Sequence, residues 1–199
     1  MRLLHTSDWH LGRSFHREDM LGAQARFVDH LVATVRAERV DAVLVSGDLY
    51  DRALPPVDAV ALCDAALRRL AAEKVRVIAI SGNHDSARRL GFGADLIDSS
   101  GVHIRSDPES VGHPVLLADG TAVYGIPYLE PEVVRERWDL PGRGHTAALT
   151  EAMRRVRADV ATRAGRSVVL AHAFVTGGEA SDSERDISVG GVASVPMSV

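Results

Sequence analysis

The stretch Ala42-Val43-Leu44-Val45-Ser46-Gly47-Asp48-Leu49-Tyr50-Asp51 decides the fold. Four consecutive apolar residues, two of them β-branched, read as a strand buried on both faces. Gly47 then allows a sharp turn and a close backbone approach. The chain delivers two carboxylates, Asp48 and Asp51, at the point where the strand ends. Working outward, the same grammar recurs: Leu3-Leu4 leads to Asp8-Trp9-His10, Val75 to Ile80 leads to Gly82-Asn83-His84-Asp85, and Val168 to Leu170 leads to Ala171-His172-Ala173. Polar clusters at the carboxyl ends of buried strands lie where open α/β sheets form their ligand crevice.

Between these strands the apolar spacing becomes helical. Phe27, Val28, Leu31, Val32 and Val35 make a stripe on a helix from about Leu21 to Glu38, and a second helix spans roughly Pro56 to Glu73. The resulting βαβαβ order predicts a layered α/β fold. Further along, the pattern predicts a short helix over Gly91 to Ile97, strands over Val102 to Ile104, Val115 to Leu117 and Ala122 to Ile126, and a helix over Thr146 to Ala164. Asp119-Gly120 between two of those strands is a hairpin signal, which implies a second sheet.

The 199 residues are 46% hydrophobic and 25% charged, enough for one domain with a full core. A net charge of −4 carries no strongly basic field, so any nucleic-acid binding must come from local groups and metal. No apolar run approaches a membrane span, and a strand beginning near the first residue leaves no room for a leader; both point to the cytoplasm. The single cysteine, Cys63, aligns with Val57, Val60, Leu67 and Leu70 on one helical face and reads as a small buried hydrophobe.

Carboxylate, imidazole and amide oxygen without thiolate suit Mn²⁺, Fe²⁺ or Zn²⁺, and Mg²⁺ less readily. Asp8 and His10 stand two apart, so an extended segment would turn both side chains the same way. Alone, Asp-x-His is a common accident. A lone His172 at a strand end would read as a hydrogen-bonded core histidine.

Taken together, His5-Thr6-Ser7-Asp8-Trp9-His10-Leu11-Gly12, Ser46-Gly47-Asp48-Leu49-Tyr50-Asp51-Arg52, Ser81-Gly82-Asn83-His84-Asp85-Ser86 and Ala171-His172-Ala173-Phe174-Val175 resemble the ordered motifs of the calcineurin-like metallophosphoesterase superfamily. Within it they are similar to the SbcD nuclease subunits of bacterial SbcC-SbcD complexes. The resemblance implies a sandwich of two mixed β-sheets flanked by helices, and two divalent metal ions, Mn²⁺ foremost. It implies Asp8, His10, Asp48, Asn83 and His172 as metal ligands, with Asp48 bridging both ions. His84 would face the substrate and protonate the leaving oxygen, Asp85 would accept a hydrogen bond from its ring, and Asp51 would orient a ligand. The implied activity is DNA exonuclease and endonuclease cleavage in repair and recombination, with an SbcC-like ATPase as partner. Arg13, Arg17, Arg52, Arg88 and Arg89 lie in loops beside the motifs and could reach flanking phosphates. Homodimerisation is implied through Pro56 to Glu73 and Arg88 to Ile97.

One departure is large. The superfamily pattern closes with Gly-His-x-His, and no such tetrapeptide occurs here; Gly144-His145-Thr146-Ala147 is nearest but lacks the second histidine and precedes His172. The tail from Gly190 to Val199 resembles the loop leading into that motif, so the chain is expected to be the amino-terminal portion of a longer nuclease domain, without a capping domain. The alternatives are another phosphodiesterase, a protein phosphatase, or a non-catalytic scaffolding subunit.

Overall fold

The computed structural model describes residues 1–16, 18–176 and 194–199. Arg17, and Gly190 to Ala193 of the tail, lie outside the described residues. In chain order the elements are β1 (Leu3–Thr6), β2 (Ser14–Phe15), β3 (Glu18–Asp19), α1 (Leu21–Ala37), β4 (Ala42–Ser46), α2 (Val57–Ala72), β5 (Arg76–Ile80), α3 (Ala87–Leu90), α4 (Ala94–Asp98), β6 (Val102–Arg105), a 3-10 turn (Pro108–Ser110), β7 (Val115–Leu116), β8 (Ala122–Ile126), α5 (Pro131–Trp138), α6 (Gly144–Val160) and β9 (Ser167–Ala171).

Two sheets stack between two layers of helix. The first has strand order β1-β4-β5-β6 and is parallel throughout, with Leu4 beside Val43 and Val43 beside Val77. The second has the order β7-β8-β9, antiparallel at β7 and β8 but parallel at β8 and β9. Side-chain alternation separates three cores. Val43, Val45, Val77 and Ala79 pack on α1 and α2. Ala42, Leu44, Ile78 and Ile80 meet Val123 and Leu170 between the sheets. Ala122, Tyr124 and Ile126 pack on α5 and α6. Gly125 lets the sheets approach closely, since a Cβ there would lie 2.7 Å from the Ile80 side chain.

Several sequence expectations are corrected. The buried face of α2 is Ala59, Cys63, Ala66 and Leu70, whereas Val57 is 82% exposed and Val60 is also exposed. Of the expected helix over Gly91 to Ile97 only α4 (Ala94–Asp98) forms, starting after Gly93, which is left-handed at φ 73°, while the separate short helix α3 (Ala87–Leu90) lies before the expected range. In the Asp119-Gly120 turn only Gly120 takes a positive φ, 83°, while the Asp119 carboxylate accepts the Thr121 N–H at 3.0 Å. The hairpin stands, with a longer turn. Helix α5 and the small β2-β3 ribbon lack long periodic patterns and were not expected. Among the described residues no helix is long and apolar enough to cross a membrane.

Candidate metal centre

Parallel pairing brings the carboxyl ends of β1, β4 and β5 side by side, and the loops that follow zip together through their backbones. The N–H of Asp8 donates to the Gly47 carbonyl at 3.1 Å, that of His10 to the Asp48 carbonyl at 3.0 Å, and that of Leu11 to the Leu49 carbonyl at 2.9 Å. Along this run Asp8, His10 and Asp48 adopt left-handed φ values of 56°, 43° and 51°. The Asp8 to His10 segment is therefore not extended, as the two-residue spacing suggested. Three non-glycine residues in the left-handed region, held by neighbouring backbone, are a strained arrangement of the kind found at functional sites.

Strand β9 supplies the last member across the gap between the sheets. His172 follows it directly, and its Nδ1 lies 2.8 Å from the Ser46 carbonyl at the end of β4. Close approach here depends on two glycines. A Cβ on Gly47 would lie 2.4 Å from His172 Nδ1, and one on Gly82 would lie 2.1 Å from an Asp48 oxygen.

Asp48 is the hub, 2% exposed. Its Oδ1 accepts the His84 N–H at 2.8 Å. Its Oδ2 lies 3.8 Å from His10 Nε2, 3.9 Å from His84 Nε2 and 3.7 Å from His172 Nε2, all too long for hydrogen bonds. Two donor groups share it: His10, Asp48 and His84 on one side, and Asp8, Asp48 and His172 on the other, each with atoms within 4.8 Å of one another. The His10 imidazole holds the Asp8 carboxyl below its usual range, and Asp8 in turn raises the His10 pKa.

The protonation logic at His172 tests whether these residues suit a cation. A carbonyl can only accept, so Nδ1 carries a proton, and in the neutral tautomer that this contact selects Nε2 presents a lone pair. That lone pair faces Asn83 Oδ1 at 2.9 Å and Asp48 Oδ2 at 3.7 Å. Acceptors converging with no proton between them repel one another unless a positive ion lies among them. The buried Asp48 carboxylate pairs with no lysine or arginine among the described residues, only with imidazoles too far for hydrogen bonds, and makes the same demand. The residues fit a divalent metal.

His84 and Asp85 are arranged differently from the expectation. The His84 Nδ1 hydrogen bond goes to the Asp51 carbonyl oxygen at 2.8 Å, not to Asp85. Asp85 instead accepts backbone N–H groups from Gly82 at 2.9 Å, Tyr50 at 2.9 Å and Leu49 at 3.2 Å, lacing two motif loops together. Burial pushes its carboxyl pKa up against those bonds. Its geometry is that of a brace. Asp51 acts twice, through its carbonyl on His84 and through a carboxylate oxygen 3.5 Å from His10 Nδ1, a nitrogen with no hydrogen-bond partner among the described residues.

The expected ligands thus come together, while the arginines differ. Arg13 is half-buried, and Arg52 and Arg88 are exposed. Arg89 donates to the Ala53 carbonyl at 3.1 Å and ties α3 to the loop before α2. His145 joins neither donor group; it lies at the start of α6, its ring 5.6 Å from that of Tyr128.

Residues 1–150 match the family model of the calcineurin-like phosphoesterases. The chain belongs to that family. It is accordingly a metal-dependent phosphoesterase domain, and the carboxylate, imidazole and amide cluster at its strand ends is where a divalent metal fits. His172 lies beyond the matched residues, yet β9 carries it into the same crevice.

Proposed function

We propose that this phosphoesterase is a DNA nuclease that hydrolyses phosphodiester bonds at duplex ends and hairpins, in the cytoplasm and together with an SbcC-like ATPase. The support for nucleic acid is the wording of the motif loops, Trp9, Leu11-Gly12-Arg13, Tyr50-Asp51-Arg52 and His172-Ala173-Phe174. The observation that carries the chemistry is the meeting of Asp8, His10, Asp48, Asn83 and His172 around one buried carboxylate, with His84 beside it. These five side chains would hold two cations, Mn²⁺ in preference, with Asp48 shared. When bound, such ions supply Lewis acidity toward the phosphoryl group and an acidified water.

The protein's own groups then divide the remaining work. His84 donates its Nδ1 proton to the Asp51 carbonyl, which fixes the ring and presents Nε2 to the crevice. As the imidazolium, with Nδ1–H on the carbonyl and a second proton on Nε2, the ring would give the Nε2 proton to the departing oxygen and be left neutral, worth roughly 10²–10⁴ in rate. Asp85 keeps the loop bearing Asn83 and His84 against the loop bearing Asp48. Arg13, Arg52 and Arg88 have free guanidinium groups among the described residues and would hold phosphates flanking the scissile bond.

We further propose a homodimer through the outward side of α2 with α3 and α4, where Val57, Phe92 and Leu96 are 82%, 89% and 83% exposed. Arg89 joins these two regions through Ala53.

The activity is tested by incubating the Mn²⁺-loaded protein with linear duplex DNA, hairpin-ended DNA and a phosphoserine peptide, with and without the ATPase and ATP. Cleavage of both DNAs, increased by the ATPase, is expected. Release of phosphate from the peptide with both DNAs intact would make the protein a phosphatase.

A further inference from the structure

Two aromatic residues outside the metal-binding motifs stand beside the centre. Tyr128 follows the end of β8, and its backbone N–H donates to the Ser81 carbonyl at 2.8 Å, just after β5. The parallel neighbour of β8 is β9, and the His172 N–H reaches the Ile126 carbonyl at 3.3 Å. Tyr128 and His172 are thus carried to the same crevice by adjacent strand ends. Their rings meet edge to face, centroids 6.5 Å apart at 79°. On its other side Tyr128 meets His145, centroids 5.6 Å apart at 49°. All three rings are half-buried, so each keeps part of its surface open.

We propose that Tyr128 and His145 form a stacking platform for a nucleobase next to the scissile phosphate, extending the metal centre into a subsite for one nucleoside. The inference rests on the nuclease reading above. The metal ligands recognise only the phosphoryl group, which every phosphoester shares, and discrimination needs a surface that meets the organic part of the substrate. An aromatic face accepts any base. Tyr128 is suited to the task because its backbone is clamped between strand ends, so little freedom is lost on stacking. His145 sits in the first turn of α6, where burial lowers its pKa, and a neutral ring there packs against Tyr128 without the cost of a desolvated charge. Glu130 is the charged group acting on both rings.

The test uses the Mn²⁺-loaded protein and short phosphorothioate oligonucleotides carrying 2-aminopurine at successive positions, whose fluorescence falls when the base stacks. Anisotropy of an end-labelled copy reports binding independently. Expected is strong quenching at one position, kept in Tyr128→Phe and lost in Tyr128→Leu, with affinity about tenfold weaker in Tyr128→Leu, the effect of losing one stacked base. His145→Leu should reduce the quenching at the same position. Binding by the unmodified protein without quenching at any position would overturn the platform, a result that needs no variant to fold. Quenching that persists in Tyr128→Leu would overturn it equally. Absence of any oligonucleotide binding by a protein that still hydrolyses simple phosphodiesters would overturn the nuclease reading and the platform with it.

Discussion

Asp48 concentrates the conflict that the site resolves with metal. It is buried, accepts one backbone N–H, and leaves its second oxygen among three imidazoles. Asp48→Ala removes the atom shared by both donor groups and is expected to abolish Mn²⁺-dependent phosphodiesterase activity; turnover at the unmodified rate would refute a shared ligand. His84→Gln separates the roles. It should lower turnover by roughly 10²–10⁴ while anomalous scattering still finds metal at the Asp48 carboxylate, and loss of the metal would reassign His84 as a ligand. Gly82→Ala tests the packing alone. The added methyl would stand 2.1 Å from an Asp48 oxygen, and overpacking of this kind costs about 1–3 kcal/mol. Urea unfolding should show that loss, with calorimetry showing weaker Mn²⁺ binding.

At the scale of elements, α2 has two faces of different character. Ala59, Cys63, Ala66 and Leu70 lie on the sheet, while Val57 and Val60 face out, exposed as Phe92 and Leu96 are. If this surface joins two copies, Val57→Lys should convert a dimer into a monomer in sedimentation equilibrium; an unchanged mass would place the interface elsewhere. Helix α6 carries a titratable clasp. The Arg154 and Arg155 guanidinium groups beside Glu151 hold its carboxyl at a pKa of about 2, below the ordinary 4.5. A carboxyl depressed in the folded state stabilises above its unfolded pKa, and that contribution fades as the pH falls from about 4.5 toward 2. Glu151→Gln should therefore cost on the order of 0.5 kcal/mol at pH 7 and nothing near pH 2. Parallel urea titrations at the two pH values check the sign.

For the whole molecule, the metal centre ties the two sheets together, since His172 of the second donates to the Ser46 carbonyl of the first and turns its Nε2 to within 2.9 Å of Asn83 Oδ1, where a shared cation fits. Mn²⁺ should consequently raise global stability by about 2.7 kcal/mol at one hundred times its dissociation constant, and a chelator should remove the gain. Cys63 offers a reporter, because burial pushes its thiol pKa up to about 11. Labelling by a disulfide reagent at pH 8 should be negligible in the folded protein and appear with the same urea midpoint as the loss of helical circular dichroism. Labelling well before that midpoint would mean that α2 opens independently.

The sequence by itself determined the βαβ order, the placement of each polar cluster after an apolar strand, and the family; the expectation that all four strands are buried holds for β4 and β5 but not for the edge strands β1 and β9, which keep exposed residues. These are local properties: short Val, Ile and Leu runs bounded by glycine read as strands, and the Gly-Asp and Gly-Asn-His-Asp phrases after them read as turns. That Asp8, His10, Asp48, Asn83 and His172 would converge was legible for the same reason, although left-handed turns and not an extended segment hold Asp8 and His10. Only tertiary structure decided the rest. Which apolar residues of α2 face inward depends on how closely the helix lies on the sheet, and Ala59 and Ala66 gave no signal by hydropathy. Whether Asp85 serves His84 or the backbone depends on N–H groups of Leu49 and Tyr50, more than thirty residues away. Tyr128 had no motif to mark it and His145 only an incomplete one; Tyr128 reaches His172 because β8 and β9 are parallel neighbours whose ends share one crevice, and His145 meets Tyr128 from the start of α6.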